Sequence, residues 1–178
     1  KISREDRAIL DVRYNMAPFS TSDRIRPGFN RRSREISKVT AEAFESVVQV
    51  ELYPRAKIRV EIEILCAEAG TRCVGMTAAS VALADAGIPM RDMLVSVASG
   101  KVNDIVVLDL DKAEDNYGQA DLPVGILPNT KEIAFLQMDG DLSPDEYNLA
   151  MEYNFKAAEE IHALQVEALR RRNSGGDS

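Results

Sequence analysis

From Ala8 to Met16 the apolar residues fall on every second position (Ala8, Leu10, Val12, Tyr14, Met16), with Asp11, Arg13 and Asn15 between them. That period of two predicts a strand with one buried face. The pattern is cleaner over Ala56 to Leu65, where Ile58, Val60, Ile62 and Ile64 alternate with Lys57, Arg59, Glu61 and Glu63. A second strand with one wet face follows. Between the two, Pro18 to Asn30 mixes Pro, Gly, Ser and Asp with arginines and predicts an exposed loop. The period then changes: from Ser33, a good N-cap residue, the apolar positions Ile36, Val39, Ala43, Val47 and Val50 recur at spacings of 3, 4, 4 and 3. This is an amphipathic helix.

Gly70, Thr71 and Arg72 interrupt the pattern. Val74 to Ala86 is then apolar on all sides and rich in small residues, ends at Gly87 and is followed by Pro89, which predicts a buried helix. Met93 to Val102, Ile105 to Leu110, Leu122 to Leu127 and Ile133 to Met138 are short aliphatic runs split by Gly, Pro, Asn and Asp, and they read as consecutive strands. Asp111 to Asp121 reads as an acidic loop between two of them. Ser143, Pro144 and Glu146 supply the N-cap, first-turn proline and capping-box acid of a long last helix, with an expected buried stripe of Ala150, Tyr153, Ala157, Ile161, Leu164 and Ala168. Periodicity is lost from Arg170, so residues 1–169 are expected to form one domain and 170–178 a disordered tail. The element order is α+β, with helices packed on a mixed sheet.

Composition narrows the function classes. The chain of 178 residues is 45% apolar but only 6% aromatic and has no Trp, so its core must be aliphatic. Uncharged apolar runs fall short of the ~18 residues a membrane span needs, and no leader-like segment opens the chain. A cytoplasmic protein with no membrane partner is the expectation. Two cysteines, Cys66 and Cys73, and one histidine, His162, leave little material for a zinc site, a disulfide framework or imidazole catalysis. The cysteines read as small hydrophobes or inert thiols, and His162 as a helix-edge residue.

Net charge is −7, which alone argues against a nucleic-acid partner. The charge is segregated, however. Residues 1–34 carry nine Lys and Arg against four acids, a local +5, and the remaining 144 residues carry −12. Such a chain can offer one basic site to a polyanion while staying acidic elsewhere.

Three groups of residues could carry chemistry. Gly70, Thr71 and Arg72 sit where a strand gives way to a helix, so unpaired N–H groups, a hydroxyl and a guanidinium can meet an oxyanion there. By itself such a glycine also serves simply to shape a turn. Arg31, Arg32 and Arg34 stand at a helix entrance with Glu35 as their only local acid, and phosphodiester oxygens are the common partner of such pairs. Asp109, Asp111, Glu114, Asp115 and Asp121 repel one another unless solvated or reconciled by a divalent cation. An anion pocket, an arginine pair and carboxylates in one chain are the parts needed for phosphoryl transfer without histidine.

The runs Arg31–Lys38, Ile64–Asp92 and Leu108–Pro123 resemble the ribonuclease PH superfamily, and within it the catalytic subunits of archaeal-type exosomes. The resemblance implies a ribonuclease PH-like fold, of the ribosomal protein S5 domain 2-like α+β type. It also implies phosphorolytic 3′-to-5′ exoribonuclease activity, with inorganic phosphate as co-substrate and nucleoside diphosphates as products. By the same likeness, Gly70, Thr71, Arg72 and Arg32 would hold phosphate, and Arg31, with Arg32, the RNA backbone. Asp115 and Asp121 would be the catalytic carboxylates, as ligands of Mg²⁺ or as the acid that protonates the leaving oxygen. Expected partners are single-stranded RNA, an inactive paralogous subunit in a hexameric ring, and RNA-binding cap proteins. Two other readings stay open: a non-catalytic RNA-binding scaffold subunit, and a ribonuclease PH acting on transfer-RNA ends. Family members carry a further N-terminal segment, so an N-terminally incomplete domain is also expected.

Overall fold

The computed structural model describes residues 5–174. β1 (Ile9–Met16) and β2 (Lys57–Ile64) pair in parallel, with Leu10 beside Ile58 and Met16 beside Ile64. This register buries Leu10, Val12, Tyr14, Val60, Ile62 and Ile64, as the alternation requires. A parallel pair needs a crossover, which α1 (Arg31–Glu45) and a short 3-10 turn (Val50–Leu52) provide.

The second half forms an antiparallel sheet from β3 (Val95–Val102), β4 (Ile105–Leu108), β5 (Ala120–Leu127), β6 (Glu132–Leu136) and β7 (Asp139–Gly140). The order is β4-β3-β5-β6, with β7 pairing the start of β5. The parallel and antiparallel pairings of the expected mixed sheet therefore fall in two separate sheets. α1 and α2 (Thr71–Asp85) are packed between them. Ile36 and Phe44 from α1 and Met76 and Leu83 from α2 share one core with Tyr14 and Ile62 of the first sheet and with Leu127 and Phe135 of the second. On the other face of the second sheet, Val95, Leu122, Val124 and Ile126 pack against Ala150, Met151 and Ala158 of α4 (Pro144–Ser174). Each of the buried Val, Leu, Ile, Phe and Met side chains contributes roughly 1.5–3 kcal/mol.

Four local expectations are corrected. The N-cap of α1 is Asn30, not Ser33: its side chain accepts the Ser33 N–H at 2.8 Å, so Arg31 and Arg32 lie inside the first turn. α2 starts at Thr71, earlier than periodicity indicated, and it is not buried all round, since Val74 is 64% exposed. Asp111 to Asp121 is not all loop but contains α3 (Lys112–Tyr117). Asp111 accepts from Ala113 and Glu114 N–H while Glu114 accepts from the Asp111 N–H, a capping box hidden among acids read as solvated charge. The buried stripe of α4 is Ala150, Asn154, Ala158 and Gln165, so Leu164 is exposed. The amides of Asn154 and Gln165 reach backbone carbonyls of Leu122, Thr77 and Leu94, which lets polar residues occupy a face that apolar counting assigned elsewhere.

The capping box expected at the start of α4 is present, between Ser143 and Glu146. α4 runs on through residues 170–174, where a tail was expected, and Arg172 pairs with Asp85 at 2.9 Å; the rest of that tail lies outside the described residues. Among the described residues, no helix is long and apolar enough to cross a membrane.

Candidate active site

The chain leaves β2, turns through residues 65–69 and enters α2 at Gly70. Gly70 has φ +57°, in the left-handed region that costs a side-chain-bearing residue roughly 1–2 kcal/mol. It offers no side-chain cap, and the first helical N–H to find a backbone acceptor is that of Val74, on Gly70 O at 3.1 Å. Among the described residues, the N–H groups of Thr71, Arg72 and Cys73 therefore have no acceptor. A helix start in this state attracts anions.

Thr71 is buried, and its Oγ1 accepts a 2.8 Å hydrogen bond from the Tyr14 hydroxyl of β1. Arg72 lies over the Phe135 ring, 5.9 Å from its centroid, and its Nη2 meets Glu35 Oε2 at 2.9 Å. Its Nε is buried and has no hydrogen-bond partner among the described residues. Glu35 thus serves Arg72 rather than the neighbouring arginines with which sequence had grouped it. Gln137 Nε2 donates to its other oxygen at 3.2 Å.

Gly70, Thr71, Arg72 and Arg32 line one cleft together with Asp109, Asp115 and Asp121. Arg32 has no ion-pair partner among the described residues. Asp115 comes from the exposed α3, and Asp121 from the start of β5, directly opposite Gly100 of β3. A Cβ on Gly100 would stand 2.3 Å from Ala120 O, so glycine is what lets β5 carry Asp121 this close. A contiguous cleft adds Glu35, Gln137, Met138 and Asp139 to the shared walls Arg32, Arg72, Asp115 and Asp121. Arg31 is exposed and lines neither cleft. The expected phosphate and carboxylate residues are brought together; Arg31 stands outside them.

Burial pushes the Asp121 carboxyl up to about 6, and the charges of Asp115 and Asp139 reinforce this while Arg72 and Arg32 oppose it. A carboxylate pair under mutual repulsion suits a hard divalent cation that keeps several waters and takes phosphate oxygens. Among the described residues no cluster of three or more His, Cys, Asp or Glu is disposed to hold a metal. Asp115 and Asp121 alone thus form no closed protein cage for a metal. Of the five acids grouped by sequence, Asp111 and Glu114 are consumed in the capping box, and Asp109, Asp115 and Asp121 line the cleft.

Sequence reasoning missed Gln137 and Asp139 as site neighbours, which nothing local marks; Glu35 stood out as the acid beside the arginines of α1, but not as the partner of Arg72. Cys73 lines the cleft, but burial pushes its thiol up to about 11, with Asp121 and Asp109 adding to the shift, so it is unreactive there. Cys66 is exposed and outside the cleft.

The site and the two-sheet fold define a class, and comparison with known proteins agrees. Residues 1–89 match the model of the 3′ exoribonuclease family, domain 1, and residues 92–157 match that of domain 2. The chain belongs to the 3′ exoribonuclease family. It is 56% identical over 164 residues to the exosome complex component Rrp41 of Thermoplasma acidophilum, covering 92% of this chain and 66% of that protein. It is 54% identical over 169 residues to Rrp41 of Pyrococcus abyssi, covering 95% and 68%. The chain thus spans about two thirds of the length of these relatives. A crystal structure of rice (Oryza sativa) Rrp46 superposes with a TM-score of 0.84 over 96% of this chain and 77% of that one; at 17% identity it speaks for the fold alone.

Proposed function

We propose that the protein is a phosphorolytic 3′-to-5′ exoribonuclease, the catalytic subunit of an archaeal-type exosome. One observation carries the reading: the uncapped start of α2, with Arg72 and Arg32, shares a cleft with Asp115 and Asp121. An anion held by the N–H groups of the first turn, the Thr71 hydroxyl and two guanidiniums would lie beside carboxylates able to handle a developing alkoxide.

Inorganic phosphate is the co-substrate that fits. One of its oxygens attacks the phosphorus of the last phosphodiester, the bond from phosphorus to the 3′ oxygen of the preceding nucleotide breaks, and a nucleoside diphosphate leaves. The 3′ oxygen departs on the shortened RNA and takes up a proton. Arg72 and Arg32 neutralise the incoming anion and hold it in line. Asp115 and Asp121 stand where the leaving oxygen's charge or proton is managed. Mg²⁺ bound by these two would supply electrostatic stabilisation of that charge. Arg31, exposed at the start of α1, would meet the RNA backbone before it enters. By likeness to the Rrp41 relatives, the working form would be a ring with an inactive paralogue and RNA-binding cap proteins, in the cytoplasm.

The test is to incubate the protein with single-stranded RNA and Mg²⁺, with and without phosphate, and identify the mononucleotide. Diphosphates that appear only with phosphate are expected. Monophosphates without phosphate mean hydrolysis and overturn the reading. Salt-dependent retention of RNA without shortening assigns a scaffold role instead.

A further inference from the structure

We propose that Glu35 is a positioning residue for phosphate capture, holding Arg72 in the cleft wall through one carboxylate oxygen while Gln137 fixes the other. This rests on the phosphate site proposed above and names what keeps that site assembled. Arg72 has five N–H donors on a long side chain, and a chain of that length is useful at an anion site only if its direction is set. Two things set it here. The Phe135 ring lies under the guanidinium, and Glu35 Oε2 takes Nη2 at 2.9 Å. The arginine side chain is only 18% exposed, and its Nε is buried without a partner among the described residues, so donors remain unspent beside the cleft.

Glu35 itself is more exposed and would wander unless held. Gln137 Nε2, from the residue just beyond β6, donates to Oε1 at 3.2 Å. Glu35 also stands one turn along α1 from Arg32, so the two phosphate arginines are linked through one helix face. The carboxylate lines the contiguous cleft with both arginines and lies outside the walls of the cleft that holds Gly70 and Thr71. It therefore touches Arg72 without lining the pocket proposed for phosphate. A carboxylate near an anion site carries an opposite risk, because its charge offsets the arginine's and weakens anion binding. The two effects have opposite signs, and that makes the role testable.

Orthophosphate would be titrated calorimetrically into the wild-type protein, Glu35→Gln and Gln137→Leu. Phosphorolysis would be followed in parallel, with KM for phosphate and for RNA determined separately. Glu35→Gln should weaken phosphate binding and raise the phosphate KM about tenfold, which is about 1.4 kcal/mol. The RNA KM and the melting temperature should stay near wild type. Gln137→Leu, which leaves the charge in place, should shift the same two constants in the same direction by about threefold. Unchanged or tighter phosphate binding in Glu35→Gln overturns the proposal. A weakened Glu35→Gln beside an unaffected Gln137→Leu overturns the part assigned to Gln137, since Glu35 would then hold Arg72 unaided. A wild-type protein that takes up no orthophosphate overturns the phosphate site itself. Wild-type uptake with an indifferent Glu35→Gln overturns only the role of Glu35.

Discussion

The Tyr14 hydroxyl donates to Thr71 Oγ1 at 2.8 Å, with both residues buried, so the end of strand β1 is tied to the first residue of α2. Because the threonine oxygen accepts this bond, its own proton is left for another acceptor, and the cleft is where it can find one. Tyr14 also donates its backbone N–H to Ser37 Oγ on α1, which makes it a joint between three elements that meet at the site.

Tyr14→Phe removes that bond without opening a large cavity. Stability should fall by about 1 kcal/mol, the ordinary net value of a buried hydrogen bond. With Thr71 free to rotate, phosphate affinity should drop a fewfold. Urea titration and orthophosphate titration measure the two effects. Lost stability with unchanged phosphate binding would make Tyr14 a core anchor and nothing more.

Asp121 supplies a pH dependence with a definite sign. Its carboxyl is raised from 3.8 to about 6, chiefly by burial, so the folded protein keeps this proton over a range where the unfolded chain releases it. The contribution to stability is present below about pH 4, is lost as the pH climbs through 6, and stays lost above that. Asp121→Asn cannot ionise. In chelator it should be more stable than wild type by of order 1 kcal/mol at pH 7.5, a figure discounted for the group's partial exposure. The advantage should disappear near pH 4. Added Mg²⁺ should stabilise the wild type at pH 7.5 and leave the variant unmoved. Denaturant curves at the two pH values, with and without Mg²⁺, decide it; an Asp121→Asn variant weaker than wild type at pH 7.5 in chelator contradicts the electrostatics.

Much of this arrangement was legible from sequence, and what was not has a common cause. β1 and β2 declare themselves because one face is wet, and the Gly70-Thr71-Arg72 turn because its chemistry is local. The Glu35–Arg72 pair spans 37 positions and the Gln137–Glu35 bond spans 102, and no periodicity encodes a partner at that range. α3 was missed because its cap is built from the acids that resemble a solvated loop. The face of α4 was misplaced because hydrophobic counting cannot see that Asn154 and Gln165 find backbone carbonyls when buried.

Arg31 and Arg32 are neighbours in sequence with different positions, Arg32 in the cleft wall and Arg31 exposed outside it. Arg32→Ala should raise the phosphate KM by about ten- to a hundredfold, the loss of one charge-assisted contact. Arg31→Ala should leave that constant alone, weaken RNA retention and lower the slope of log affinity against log salt by about one. Filter binding at several salt concentrations separates the two. Equal effects of both variants on the phosphate KM would contradict the geometry.

Asp111 is the sharpest test of how Asp115 is held. α3 spans six residues and none of them is buried, so packing does not keep it folded. Its stability comes from Asp111, whose Oδ1 accepts from Ala113 N at 2.7 Å and Glu114 N at 2.8 Å, and from Glu114 Oε2, which accepts from Asp111 N at 2.9 Å. Loss of an N-cap costs roughly 0.5–2 kcal/mol, enough to melt a helix this short on its own. Asp111→Ala should therefore unravel α3 while the global denaturation midpoint barely moves, because the helix is a local unit. Asp115 sits at the fourth position of that helix and would lose its place in the cleft. Phosphorolysis should then fall at least tenfold in kcat with the phosphate KM little changed, since Arg72, Arg32 and the Gly70 turn are untouched. Amide exchange across residues 112–117 would show the melting directly. Full activity in an Asp111→Ala variant whose α3 amides exchange freely would mean that Asp115 does not need the helix to act.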